Sequence, residues 1–270
     1  MGNSGMRTSL FEKEIRLFGL KRSGNNALII YMAGHFNYKT NFIIMSNTDF
    51  NFRSRTGTGG PFEFVNKVYL LEKKAPKISK YFMMTTENYD LAEIGRKDKD
   101  GKNDFNRDRR WYARLYGMDS FAKETLGIML LRSPHNNLAS IIEKGLISLF
   151  PDFASMWVMY AKEAIGETNY INKKVPCLFD KWFSSVEYRK ELCCNLGLDH
   201  NDRFLNRMRS WRKSSFDGGK YKKEAQKMKV LDRWKLYRKN KVYLDILRND
   251  ELIDLTERLF GYNLREILDL

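Results

Sequence analysis

Apolar and polar positions change period several times along the chain, and the changes predict alternating strands and helices. Over 14–18, Ile15 and Leu17 alternate with charged positions, the period-two pattern of a strand, and the strand runs into Gly19. Residues 25–36 are apolar enough for a buried helix, giving the order strand, glycine turn, helix. Further strands are predicted over 80–86, 127–131 and 176–180. The run over 127–131 meets a turn at Arg132, Ser133 and Pro134, with a helix expected from there to about Phe150 and stopped by Pro151. Ser184 and Glu187 have the S-x-x-E spacing of a capping box, for a helix closing at Gly197. Over 250–260, Leu252, Leu255 and Leu259 share one helical face, and Gly261 follows as a stop. Strands alternating with helices predict an α/β fold with a parallel sheet and ligands at the carboxyl ends of its strands.

No repeat and no Pro/Gly/Ser linker divides the chain, so 1–270 reads as one domain. Residues 95–110 break the pattern: seven Lys/Arg and four Asp lie among glycine and asparagine, the composition of a solvated or mobile loop. A chain of 270 residues with 43% hydrophobic positions can bury a sizeable core, which excludes a disordered chain or a disulfide miniprotein. The three cysteines, Cys177, Cys193 and Cys194, offer neither a disulfide framework nor a C-x-x-C pair, and they suit a reducing compartment. The apolar stretch over 27–33 is too short to span a bilayer and residues 1–10 hold no hydrophobic signal region, so the expectation is a soluble, cytoplasmic protein.

Charge adds a partner class. The formal net charge is +15, and residues 203–241 alone hold fifteen Lys/Arg against three Asp/Glu, a net +12. A stretch this basic, interleaved with Trp211, Tyr221, Trp234 and Tyr237, suits a nucleotide with several negative charges and an acidic acceptor or polymer. A solvated helix face is the plain alternative for most of its lysines.

Residues 19–26 read GLKRSGNN between a strand and a helix. In such a turn the backbone N–H groups at the helix start face whatever lies beyond it, and the helix dipole favours an anion there. Gly19 and Gly24 have the G-x-x-x-x-G spacing of a nucleotide triphosphatase P-loop, but Asn25 and Asn26 stand where the phosphate-reaching lysine and the Mg²⁺-holding Ser/Thr belong. That departure disfavours an ATP-dependent kinase and leaves a metal-independent anion cradle, with Lys21 and Arg22 as cations and the asparagine amides as further donors. An ordinary tight βα turn is the alternative. A second basic element, LLRSPHNNLASI over 130–141, sets Arg132 at a strand end and Ser140 one to two turns into the next helix, where both can face a ligand across the strand ends.

With these two elements the chain resembles the sulfotransferases that use 3′-phosphoadenosine 5′-phosphosulfate. Arg22, Ser23, Gly24, Asn25 and Asn26 are similar to that family's first motif, which holds the 5′-phosphosulfate; Arg132, Pro134 and Ser140 keep the order and spacing of its second, which holds the 3′-phosphate. Residues 175–198 (VPCLFDKWFSSVEYRKELCCNLGL) resemble a segment in which a strand with an aromatic and acidic end leads to a helix and LGL, and 234–262 resemble the tryptophan, closing helix and LFGY at the family's end. Between 36 and 127 the likeness is nearly absent. Arg22 stands where the family commonly has lysine, and the later basic loop is matched only loosely by Arg212, Lys213, Ser214 and Ser215.

The resemblance implies a P-loop-like central parallel sheet in a three-layer α/β/α fold, 3′-phosphoadenosine 5′-phosphosulfate as co-substrate, no metal, and a hydroxyl or amine acceptor. Transfer to a hydroxyl needs a base within reach of the acceptor. None of His35, His135 and His200 falls where the family carries its base, so Glu87, displayed after the strand over 80–86, is the candidate, with Asp90 and Glu63 behind it. The rival function is a nucleic-acid-binding protein that uses the stretch over 203–241 on a degenerate nucleotide-binding fold.

Overall fold

The computed structural model describes residues 9–35, 42–46, 81–94, 120–206, 216–217, 220–221 and 224–270. Five strands, β1 (Ser9–Gly19), β2 (Phe42–Ser46), β3 (Tyr81–Glu87), β4 (Ser120–Leu131) and β5 (Lys174–Leu178), form one sheet in the order β2-β3-β1-β4-β5, every neighbouring pair parallel. Helices α1 (Asn25–His35), α2 (Pro134–Ile142), α3 (Phe153–Ile165), α4 (Phe179–Ser184), α5 (Val186–Asn195), α6 (Lys241–Leu247), α7 (Asp250–Phe260) and α8 (Leu264–Leu268) cover its two faces. The central strands are apolar on both sides, as a doubly covered parallel sheet requires. Ile128 and Leu130 of β4 join one core with Leu28 and Met32 of α1 and Trp182 of α4. Met129 and Leu131 join the other, with Leu138 of α2, Trp157 of α3 and Leu255 of α7. The expected three-layer α/β/α architecture is the observed one.

Strand order creates the site. From β1 the chain passes through α1 toward β2 at one edge, whereas from β4 it passes through α2 and α3 toward β5 at the other. The two connections pack on opposite faces, which makes the carboxyl ends of β1 and β4 the switch point where open α/β sheets form their ligand crevice. Register aligns the rim, with Gly19 opposite both Glu87 of β3 and Leu130 of β4, and Leu131 opposite Leu178 of β5.

Several boundaries differ from expectation. Helix α2 ends at Ile142 rather than near Phe150, because Gly145 turns left-handed (φ 63°) and the Leu146 amide closes on the Ile141 carbonyl at 3.1 Å. Pro151 therefore precedes a helix, α3, whose Asp152 side chain accepts from the Ser155 amide. The fourth strand lies two residues earlier than predicted, over Lys174–Leu178, and Phe179 and Asp180 already belong to α4. Pro176 is tolerated there because β5 is an edge strand. Helix α5 is capped by Ser185, whose hydroxyl accepts from the Tyr188 amide at 3.0 Å, while Ser184 donates to the Asp180 carbonyl. The helix over 250–260 and its left-handed stop at Gly261 are as predicted. The loop over 95–110 lies outside the described residues. Among those described, no helix is long and apolar enough to cross a membrane.

Candidate functional site

The turn after β1 is a rigid loop sewn down by asparagines. Arg22 has φ 69° and Gly24 φ 101°, both in the positive-φ region that side-chain-bearing residues rarely adopt. The Ser23 amide closes on the Leu20 carbonyl at 3.1 Å. The Lys21 amide donates to Asn88 Oδ1 at 2.8 Å, and the Lys21 carbonyl accepts from Asn137 Nδ2 at 3.0 Å. Asn25 Nδ2 donates both to the Leu20 carbonyl and to Glu87 Oε1, each at 2.9 Å. The Asn25 amide, expected from sequence to donate to phosphate, is thus spent on holding the loop to the end of β3. Besides the Arg22 side chain, an anion held in this turn is left to the backbone amides at the start of α1, where the Ala27 amide already donates to the Gly24 carbonyl at 2.9 Å. Asn26 is half-buried on that turn, and Ser23 is fully buried.

A Cβ on Gly24 would overlap the Phe179 ring, and an alanine there would also be strained at its positive φ. Gly24→Ala is therefore expected to destabilise the fold by more than about 1 kcal/mol, read as a lower denaturant midpoint at unchanged slope. A midpoint equal to wild type would mean that the turn is not the rigid element described.

The loop after β4 is fixed from both sides. Trp157 Nε1 of α3 donates to the Arg132 carbonyl at 2.9 Å. The amide and hydroxyl of Ser133 donate to the two Asp180 carboxylate oxygens, at 2.9 and 2.6 Å. Between these anchors the Arg132 side chain is only 2% exposed, with its guanidinium 5.2 Å from the centre of the Phe179 ring. NH1 donates to the Arg22 carbonyl at 3.3 Å and NH2 to the Val230 carbonyl, while the buried Nε has no hydrogen-bond partner. Burial pulls the Arg132 pKa down to about 9; Asp180 opposes this, and the cations of Arg233 and Arg22 add to it. A desolvated guanidinium with an unused donor gains from any anion that reaches it.

The two predicted elements meet in the crevice. Arg22 Nε lies 3.3 Å from Ser140 Oγ, a residue 118 positions away and 1% exposed. Arg22 is itself half-buried, and burial lowers its proton affinity against the opposing pull of Glu87. Glu87 ends β3 beside the loop, half-buried, with Oε1 held by Asn25. Asp90 is exposed and accepts from the Ala92 amide, a local turn bond. Glu63, Arg212, Lys213, Ser214 and Ser215 lie outside the described residues.

Sequence reasoning passed over other members of the site. Asn88 and Asn137 pin the first loop, Asp180 anchors the second, and Arg233, 9% exposed, stands close enough to Arg22 and Arg132 to enter their electrostatics. The T-T-E-N and H-N-N runs hold the two asparagines, but neither run says which loop it will meet. No local pattern singles out Arg233 within a stretch of fifteen cations.

His135 sits beside Arg132, edge-on to the rings of Trp234 and Tyr262, each at 5.6 Å. Burial, reinforced by the Arg132 cation, pulls its pKa from 6.5 down to about 3. Between those values the unfolded chain takes up a proton that the folded one refuses. Stability is therefore complete above about pH 6.5 and falls as pH drops toward 3, by up to about 1.4 kcal/mol per pH unit. Denaturant midpoints measured across that window should lose this slope in His135→Gln; an unchanged slope would assign it to other groups.

A parallel α/β/α sheet with a topological switch point and a glycine turn at the end of β1 defines a P-loop-like α/β class of fold. Among solved structures, the sulfotransferase domain from the Synechococcus PCC 7002 olefin synthase is similar to this chain over 95% of it and 97% of that domain, with TM-score 0.57 and 12% identity. At that identity the likeness is one of fold. No family model matches the chain, and neither does any curated protein.

Proposed function

We propose that the protein is a sulfotransferase that moves the sulfuryl group of 3′-phosphoadenosine 5′-phosphosulfate to a hydroxyl or amine acceptor. The observation that carries this reading is the meeting of Arg22, Ser140 and Arg132 at one switch-point crevice. Two anionic ends of one nucleotide suit two such loops: the 5′-phosphosulfate against the α1 amides and Arg22, the 3′-phosphate against Arg132 and Ser140. In the transfer step the acceptor oxygen or nitrogen bonds to sulfur, and the bond from sulfur to the bridging phosphate oxygen breaks. Adenosine 3′,5′-bisphosphate departs with the electron pair, and the acceptor proton passes to a base, Glu87 in this reading. Arg22 stabilises charge growing on the bridging oxygen; as an arginine it stays protonated and does not shuttle the proton. With asparagine at both 25 and 26, the loop lacks the side chains that hold Mg²⁺ in nucleotide triphosphatases, so the donor is bound without metal in this mechanism.

Calorimetric titration with adenosine 3′,5′-bisphosphate, AMP, ATP and a short oligonucleotide, with and without Mg²⁺, tests the reading. The bisphosphate should bind most tightly and need no Mg²⁺; equal affinity for AMP would remove the 3′-phosphate assignment. Dominant oligonucleotide binding with a steep logarithmic salt dependence would favour the nucleic-acid reading instead. Against that reading, Lys227, Arg233, Lys235 and Arg238 of the basic stretch are engaged by Glu224, Asp217, Asp232 and Asp269. Its described part runs through single 3-10 turns rather than a continuous helix that could enter a groove.

A further inference from the structure

Trp157 and Tyr160 share one buried face of helix α3, and each side chain is fully buried. Trp157 holds the loop after β4 through its bond to the Arg132 carbonyl. The Tyr160 hydroxyl is spent on the turn after β3: it accepts from the Tyr89 amide and donates to the Tyr89 carbonyl, each at 3.1 Å. Burial raises the pKa of this phenol well above its ordinary value; the Tyr89 bond opposes the rise, and the carboxylates of Asp90 and Glu87 add to it. The hydroxyl therefore keeps its proton and both bonds. A phenylalanine would fill the same space. What the hydroxyl adds is a fixed orientation for the two peptide groups on either side of Tyr89.

That clasp holds Asn88 from its far side. On its near side β3 is registered to β1, with Glu87 opposite Gly19, and the Asn88 amide donates to the Gly19 carbonyl at 3.2 Å. Held at both ends, Asn88 takes φ 57°, a left-handed conformation that asparagine adopts more readily than most side chains. Its Oδ1 then meets the Lys21 amide at 2.8 Å. A continuous chain of hydrogen bonds and backbone thus runs from α3, through Tyr89 and Asn88, to the glycine turn after β1.

We infer that Tyr160 is a positioning residue for that turn: its hydroxyl, acting through Tyr89 and Asn88, holds the Lys21 amide and with it the shape of residues 19–25. One face of α3 then supports both loops of the site, the second through Trp157 and the first through Tyr160. The inference rests on reading the turn over 19–25 as an anion-binding loop. Its energetic basis is preorganisation, since a loop already held in its binding shape loses less freedom when an anion arrives.

The test compares wild type, Tyr160→Phe, Asn88→Gly and the double variant. Amide hydrogen exchange is followed by mass spectrometry, inorganic pyrophosphate, adenosine 3′,5′-bisphosphate and AMP are titrated at fixed ionic strength, and melting temperatures are measured. Tyr160→Phe should speed exchange over 19–26 by about tenfold while exchange within β4 stays as in wild type. It should also weaken pyrophosphate and the bisphosphate by about threefold to tenfold. Asn88→Gly permits the left-handed turn but lacks the acceptor for Lys21, so it should reproduce both changes, and it reads the same link if Tyr160→Phe does not fold. Because the two residues act in series, the double variant should be little weaker than either single one. A packing role gives a different pattern: a lower melting temperature, faster exchange only over 81–94 and 153–165, and unchanged affinities. That pattern, or additive losses in the double variant, overturns the inference. Wild type that binds neither pyrophosphate nor the bisphosphate removes the anion loop and this inference with it. If wild type shows no preference for the bisphosphate over AMP while pyrophosphate binding still depends on Tyr160, the positioning role stands and the 3′-phosphate donor reading falls.

Discussion

Arg22→Ala is expected to lower the rate of sulfuryl transfer by about 10²- to 10³-fold while leaving affinity for adenosine 3′,5′-bisphosphate within about tenfold of wild type. Charge on the bridging oxygen grows as its bond to sulfur breaks, so a guanidinium aimed there acts more on the transition state than on the bound ground state. The geometry makes the side chain separable from the backbone. Arg22 sits at φ 69°, a conformation that costs an alanine as much as an arginine but a glycine little. Arg22→Gly should therefore be more stable than Arg22→Ala, by about 1 kcal/mol, and equally inactive. Single-turnover rates, bisphosphate titrations and denaturant midpoints of the two variants check all three statements. If Lys21→Ala abolishes transfer and Arg22→Ala does not, the first motif is out of register by one. The register is set at Arg22 in this reading because its Nε lies 3.3 Å from Ser140 Oγ.

Arg132→Ala should weaken the bisphosphate by about tenfold to a hundredfold and AMP hardly at all, since a charge-assisted hydrogen bond to phosphate is worth about 1.5 to 3 kcal/mol. Of its five N–H groups, one on NH1 and one on NH2 already donate to the Arg22 and Val230 carbonyls, and exchanging either carbonyl for a phosphate gains only the difference. Nε is different: buried and without a partner, it has already lost its water, so a phosphate oxygen meets it at no further desolvation cost. The variant also leaves two carbonyls with one donor fewer, so a lower melting temperature is expected together with the affinity loss. Stability alone cannot produce selectivity between nucleotides. Titration well below the melting temperature separates the effects, and equal losses for AMP and bisphosphate would reduce Arg132 to a tie between loops.

The order of elements was legible in local pattern because periods of two and 3.6 are written residue by residue. Ile15 and Leu17 before Gly19, and Leu252, Leu255 and Leu259 before Gly261, put the carboxyl end of β1 and helix α7 where they are found, although β1 begins at Ser9, five residues before the predicted start. Helix α3 carried a weaker signal: its buried Phe153, Trp157, Tyr160 and Ala161 share one face, but Ala154, Met156, Val158, Met159 and Ala164 are apolar too, so no polar face sets that stripe off. The candidate site divides in the same way. That an arginine ends a strand at 132 and a glycine turn follows a strand at 19 can be read from neighbours in the chain. That Arg22 touches Ser140, that Asn25 turns its amide inward to Glu87, and that Arg132 reaches the Arg22 carbonyl depend on which strands lie side by side. Local sequence determined where each loop begins and which charges it holds. Only the tertiary structure, by sending the chain from β1 and β4 to opposite edges of the sheet, decided that those charges share one crevice, because strand order is set by the packing of both faces and not by any residue's neighbours in the chain.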